Sequence, residues 1–211
     1  MKTIYAIGDI HGQLEMLTAL INKINPQPTD ILIFLGDYID RGLDPKGVID
    51  YLLELAKTQE CIFLKGNHED MMLQSLAGDS RYHEMWIQNG GDKTISSYGS
   101  ESEILLLHGN FFKNLKLYYE TDKYIFVHAG INQSKPLNQQ SELDLLWIRD
   151  EFIDKPAGID KKIIFGHTHY SEPLVMPDKI GIDTSAAWGG PLTAILLPDE
   201  KFISVKNNLP H

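Results

Sequence analysis

The chain has 211 residues, 43% of them hydrophobic and 23% charged, which is enough for one substantial core, so residues 1–211 are expected to form a single domain. A formal net charge of -10 argues against binding along a nucleic-acid backbone, which depends on Lys and Arg neutralising phosphates, but it leaves small phosphates open because bound cations can dominate the field in a site. No apolar run approaches membrane-spanning length and no signal-peptide pattern precedes the first polar motif, so a cytoplasmic protein with no membrane partner is expected.

In chain order, Ile4 to Ile7 is the first short apolar run suited to a buried strand, and Gly8-Asp9-Ile10-His11 follows it. Leu14, Leu17, Ile21 and Ile24 repeat at helical spacing and stop at Asn25-Pro26. A second strand run, Ile31 to Leu35, leads to Asp37, and a helix carrying Val48, Leu52, Leu55 and Ala56 is expected behind Pro45. The third run, Cys61 to Leu64, leads to Asn67 and His68 and contains the single cysteine, read as a buried thiol that excludes an internal disulfide. Gly90-Gly91 reads as a helix C-cap, and residues 101–114 are helical in pattern. Leu115 to Tyr119 and Tyr124 to Val127 read as strands, with His128 after the second, and Ile163 to Phe165 is followed by His167 and His169. Ile180 to Asp183 and Leu192 to Leu197, joined through Trp188-Gly189-Gly190-Pro191, are expected to form an antiparallel pair. Alternating strands and helices over residues 4–64 predict parallel units whose ligands lie beyond the carboxyl ends of the strands, hence an α/β fold with at least one mixed sheet.

Five of the eight histidines, together with Asp9, Asp37 and Asn67, stand just after apolar runs, whereas His83, His108 and His211 lie in helical or terminal contexts. An Asp after Gly is commonly a turn residue, and a single His is commonly a surface group. Five such strand ends together point instead to metal ligands. Asp, Asn and His without Cys suit Mn, Fe, Zn or Mg. Seven candidates, Asp9, His11, Asp37, Asn67, His128, His167 and His169, are too many for one ion, whereas two ions roughly 3.5–4 Å apart sharing a carboxylate would use them.

The motifs GDIHG at 8–12, GDYIDRG at 36–42, GNHE at 66–69, HAG at 128–130 and GHTH at 166–169 resemble those of the calcineurin-like metallophosphoesterases. The Asp-Arg pair in GDYIDRG is similar to the serine/threonine phosphoprotein phosphatase branch in its compact bacterial and phage form, and the resemblance runs from about residue 4 to 196. It implies two mixed sheets packed as a sandwich and flanked by helices, a four-layer αββα arrangement. It also implies that Asp9 and His11 hold one metal, Asp37 bridges, and Asn67, His128 and His167 hold the second. Mn is the favoured metal, with Fe, Zn, Ni, Co or Mg as alternatives. Arg41 and Arg149 would clamp the substrate phosphate beside Asn67 and His68, because a guanidinium donates two hydrogen bonds in a fixed fork. His68 would protonate the leaving alkoxide, oriented by Asp40, and the nucleophile would be a metal-bridging hydroxide with no phosphoenzyme. Asp40 as a helix N-cap is the alternative to that role.

Two departures stand out. Lys65 replaces the Arg usual before GNHE, and His169 replaces the Pro usual in the last motif, which leaves His169 as a further ligand of the first metal or a surface residue. The segment 86–99, WIQNGGDKTISSYG, also resembles the compact phosphatases, and Trp86 is expected to pack rather than border the substrate. The expected activity is metal-dependent hydrolysis of phosphate monoesters in phosphoproteins or phosphopeptides, by a monomer. The weighed alternatives are a symmetrical dinucleoside polyphosphate hydrolase, which usually has Ala in place of Asp40, and a non-catalytic scaffold on the same fold.

Overall fold

The computed structural model describes residues 2–206, so His211 lies outside it. In chain order the elements are β1 (Ile4–Ile7), α1 (Leu14–Ile24), β2 (Ile31–Phe34), α2 (Pro45–Leu55), β3 (Glu60–Phe63), α3 (Asn67–Leu76), α4 (Ser80–Trp86), α5 (Asp92–Tyr98), α6 (Glu101–Lys113), β4 (Tyr118–Glu120) and β5 (Tyr124–Val127). There follow α7 (Glu142–Trp147), α8 (Asp150–Ile153), β6 (Lys162–Phe165), β7 (Leu174–Val175), β8 (Lys179–Gly181), β9 (Leu192–Leu197) and β10 (Lys201–Val205). One sheet has the order β10-β9-β1-β2-β3 and the other β4-β5-β6-β8-β7. In each, three neighbouring strands run parallel, β1-β2-β3 and β5-β6-β8, and the remaining neighbours are antiparallel.

Strict alternation of side chains sorts the strands into three cores. Ala6, Ile31, Ile33, Phe126, Ile164, Ile180, Ile195 and Leu197 meet between the two sheets. Ile7, Leu32, Phe34 and Ala194 point the other way, onto Leu17, Leu20, Leu52, Met71 and Phe112 of the helices over the first sheet. Ile125, Val127, Ile163 and Phe165 pack against Leu145 of α7 and Phe152 of α8 over the second. The layers are therefore helix, sheet, sheet, helix. Helix α2 begins at a cap: Pro45 at its start follows Asp44, whose carboxylate accepts from the Gly47 N–H at 2.8 Å.

Three expectations need correction. Ile180 to Asp183 and Leu192 to Leu197 do not pair, because β8 lies in the second sheet beside β6 and β9 in the first beside β1. Each run is apolar enough for either sheet, and the segment joining them crosses between sheets through a short 3-10 turn at Ala186–Trp188 rather than folding as a hairpin. Leu115 to Tyr119 is a strand only from Tyr118, with a single bridge from Lys116 to Leu64 before it. Gly90 ends a helical segment as expected of a C-cap glycine: its φ of 97° breaks the helical path between α4 and α5, and a Cβ there would lie 2.9 Å from the Arg41 nitrogen, so glycine is what lets this segment close on Arg41. Cys61 is only partly buried, and burial pushes its thiol up to about 12.

Candidate active site

Both parallel strand sets aim their carboxyl ends at one cavity of about 410 Å³, lined among others by Asp9, His11, Asp37, Arg41, Asn67, His68, Arg149, His167 and His169. Asp9 follows β1, Asp37 follows β2, Asn67 opens α3 just after β3, His128 follows β5 and His167 follows β6. A sixth strand end was not anticipated from sequence: Asp183, two residues beyond β8, lines the same cavity. Its signal was present, since Ile180-Gly181-Ile182-Asp183 repeats the apolar-run-then-Asp pattern of the early strands, but the run had been assigned to a hairpin.

The backbone is bent sharply where these side chains are presented. His11, Asp37, Asp40, Arg41 and His167 all have positive φ, between 46° and 69°, a conformation that L-residues hold only when the surroundings impose it. Two glycines permit the crowding. A Cβ on Gly66 would lie 2.1 Å from Asp37 Oδ1, and one on Gly166 would lie 2.1 Å from Asp9 Oδ1.

Two groups of buried donor atoms converge on Asp37. His11, Asp37 and His68 form one, and Asp37, His128 and His167 the other. His11 Nδ1–H donates to the Ile39 carbonyl at 2.9 Å and His128 Nδ1–H to the Leu35 carbonyl at 2.9 Å, so each ring turns its Nε2 lone pair inward. The His128 Nε2 then lies 2.9 Å from Asn67 Oδ1 and 3.6 Å from Asp37 Oδ1, and the His167 Nδ1 lies 3.0 Å from the same Asn67 oxygen. Asp9 is in neither group; its carboxylate accepts from the His167 backbone N–H at 3.0 Å.

The electrostatics of both kinds of group point to missing positive charge. Burial, then the neighbouring Asp183 and Asp37 carboxylates, push the Asp9 carboxyl well above its usual range, and burial likewise raises Asp183. Burial, then the other imidazoles and Arg41 or Arg149, push His11 and His167 well below theirs, and burial lowers His128. Crowded carboxylates and unprotonated imidazoles are the form in which these side chains bind cations. His167 Nε2 is, among the described residues, the one buried side-chain nitrogen or oxygen without a hydrogen-bond partner. The donor set thus fits a pair of divalent cations sharing Asp37, with oxygen and imidazole ligands and no thiolate.

Around this centre, His68 Nδ1–H donates to Asp40 Oδ2 at 2.6 Å, with Asp40 fully buried. Asp40 caps no helix. Instead its carboxylate also accepts from Trp86 Nε1–H at 2.9 Å and from the Thr94 hydroxyl at 2.5 Å, so Trp86 both packs and aims Asp40, and Thr94 is a partner that sequence reasoning missed. Glu69, also missed, is fully buried and accepts from the backbone N–H groups of Asp37, Tyr38 and Gly66 at 2.8–2.9 Å, with Ile39 at 3.4 Å. Arg41 is half-buried, its Nη1 2.7 Å from His11 Nε2. Arg149 is exposed at the rim and donates to the His167 carbonyl at 3.0 Å. Lys65 bridges Asp70 of α3, at 2.7 Å, and Glu142 of α7, at 3.1 Å. His169 is exposed, lines the cavity and belongs to neither donor group.

Residues 2–200 match the sequence profile of the family described as calcineurin-like phosphoesterase. The chain is 32% identical to serine/threonine-protein phosphatase 1 of Salmonella typhimurium, over 91% of this chain and 90% of that protein. It is 27% identical to the asymmetrical bis(5'-nucleosyl)-tetraphosphatase PrpE of Anoxybacillus flavithermus, over 97% and 94%. Among solved structures, one described as a putative diadenosine tetraphosphatase superposes with a TM-score of 0.78 at 22% identity, covering 98% of this chain and 94% of its own, a likeness of fold.

Replacing Glu69 by Gln presents an NH2 group to backbone donors that need an acceptor. The expected cost is about 1–3 kcal/mol of unfolding free energy, with weaker divalent-cation binding, because the Asp37 and Gly66 loops lose their common anchor. Urea denaturation and calorimetric cation titration of Glu69→Gln check both, and wild-type values in both would remove Glu69 from that role.

Proposed function

The chain belongs to the calcineurin-like phosphoesterase family, and within it we propose that it hydrolyses phosphate monoesters, with phosphoserine and phosphothreonine peptides as its main substrates. The observation that carries this reading is the 2.6 Å hydrogen bond from His68 to buried Asp40, at the edge of a cavity that also holds Arg41 and Arg149. A monoester of an aliphatic alcohol has a poor leaving group and needs a proton donor at the oxygen that departs.

Asp9, His11 and Asp37 would hold one divalent cation and Asp37, Asn67, His128 and His167 the other, with Mn the favoured occupant. Bound cations of this kind place positive charge on phosphoryl oxygens and make water more acidic. The chain's own groups do the rest. Arg41 and Arg149 donate to the phosphoryl oxygens, and Asn67 offers its amide beside them. Burial works against a charged His68, but the Asp37 and Asp40 carboxylates outweigh it and raise the imidazole above its ordinary value. With Nδ1–H committed to Asp40, the imidazolium carries its second proton on Nε2. That proton passes to the leaving alkoxide as the phosphorus–oxygen bond breaks, and Asp40 stays hydrogen-bonded throughout.

A second reading, cleavage of dinucleoside tetraphosphates, is favoured by the relatives named for that activity, which are asymmetrical rather than symmetrical hydrolases. Direct comparison separates the two. With Mn supplied, a phosphothreonine peptide is expected to give a kcat/KM at least about tenfold above that of diadenosine tetraphosphate, a difference of about 1.4 kcal/mol in transition-state binding. A preference for the dinucleotide puts the second reading in place of the first.

His68→Asn is expected to slow an alkyl phosphate by about 10²–10⁴-fold and an aryl phosphate much less, since a phenolate leaves without the proton. Equal losses for both would take the proton transfer away from His68. His169→Ala tests the extra ligand: if His169 completes the first cation's coordination, metal analysis after dialysis should show one of two ions lost, whereas two ions held with unchanged affinity would make it a rim residue.

A further inference from the structure

We infer that Trp188 forms a stacking platform for a flat aromatic group attached to the scissile phosphate, and so sets the preference of the site between aromatic and aliphatic leaving groups. The inference deepens the phosphoester-hydrolase reading above and rests on it. Trp188 lines the mouth of the cavity and is 67% exposed, although an indole is among the side chains that gain most from being covered. The Arg41 guanidinium carbon lies over the ring, 5.1 Å from its centroid, and the other end of the same guanidinium is 2.7 Å from His11 Nε2. One planar cation therefore lies between the indole and the donor group of His11, Asp37 and His68. His11, the residue that Arg41 reaches, has its ring 4.6 Å from that of His68, and His68, which would protonate a leaving group, lines the same cavity as Trp188. The cavity's other indole, Trp147, lies instead against His167, 6.2 Å between ring centroids.

The loop carrying Trp188 is tied down by its own backbone: the Ser185 N–H donates to Asp183 Oδ1 at 3.0 Å, and the Ser185 carbonyl accepts from the N–H groups of Trp188 at 2.8 Å and Gly190 at 2.9 Å. Gly189 has a φ of 84°, and a Cβ on Gly190 would lie 2.1 Å from the Thr184 carbonyl oxygen, so the turn closes tightly behind the indole. A loop already held in shape costs little to order when a ligand arrives, which favours a selective aromatic contact. A phenyl ring or a nucleobase has the required flat face; phosphoserine and phosphothreonine bind through their phosphate without it, so the platform extends the site to aromatic ligands beside the aliphatic ones.

The test uses the Mn-loaded protein and ligands that are not hydrolysed. Calorimetric titration should show phenylphosphonate binding tighter than methylphosphonate, and Trp188→Ala should reduce that ratio by about fivefold or more, the scale of one aromatic stacking contact. Trp188→Phe, which keeps a flat face, should retain most of the ratio. A ratio unchanged in Trp188→Ala, or an equal loss for both phosphonates as expected if the indole served only to hold Arg41, overturns the inference. A peptide bearing phosphonomethylphenylalanine and adenosine 5'-(α,β-methylene)diphosphate distinguish a tyrosyl from a nucleobase source of the ring. A larger loss for either one in Trp188→Ala supports the platform and identifies the source, and no loss for both overturns it. Because these readouts need no turnover, they stand or fall separately from the proposed hydrolysis, which fails if the wild-type protein releases phosphate from none of its substrates.

Discussion

Backbone N–H groups from two different loops end on one carboxylate, that of Glu69. Asp37, Tyr38 and Ile39 belong to the turn after β2, and Gly66 to the turn after β3. Neither turn could bury its amides without an acceptor. Glu69 supplies one from the first turn of α3, so a helix start, two strand ends and the position of Asp37 are fixed by one side chain. Burial, then the nearby Asp37 carboxylate, raises the Glu69 carboxyl above its usual range, and the anion it opposes is the one that faces four imidazoles. The donor centre and its scaffold are thus a single electrostatic object, in which a change of charge at the cavity is felt at the backbone beneath it.

That coupling explains how a chain with a formal net charge of -10 can serve a phosphorylated ligand. Asp9, Asp37 and Asp183 are each at most 8% exposed and face the same cavity. Without cations such a site would repel phosphate. With them the local field reverses while the outer surface stays acidic, which favours compact ligands over long polyanions.

Much of this was legible in the sequence, for identifiable reasons. The runs at Ile4–Ile7 and Tyr124–Val127 became strands over those residues because both faces of each are covered, and helices at Leu14–Ile24 and Pro45–Leu55 followed their apolar period and their stops. Ligand-type residues were found because chemistry concentrates them at strand ends. What escaped were interactions that side-chain spacing does not encode. Glu69 and Thr94 act on or through backbone N–H groups contributed by residues distant in the chain, and Trp86 was read for its bulk although its N–H aims Asp40. Asp183 was missed with the sheet assignment of β8, since an apolar run of that length carries no label for the sheet it joins. Lys65 took up two carboxylates in place of a guanidinium's fork, a substitution legible in the motif but with partners visible only in three dimensions.

The order of strands in the first sheet has a consequence for how the chain must be made. β1 is flanked by β2, which follows it closely in sequence, and by β9, which arrives near the end. On a ribosome, the edge of β1 that β9 will occupy stays open through most of synthesis, a row of unpaired amides and carbonyls able to recruit a strand from another chain. Ile4, Ala6, Ile31 and Ile33 wait uncovered for the same interval, because their partners in the second sheet come later. The emerging chain therefore passes through a period when its oldest strand is its most adhesive part, and the arrival of Leu192–Leu197 is the event that ends it.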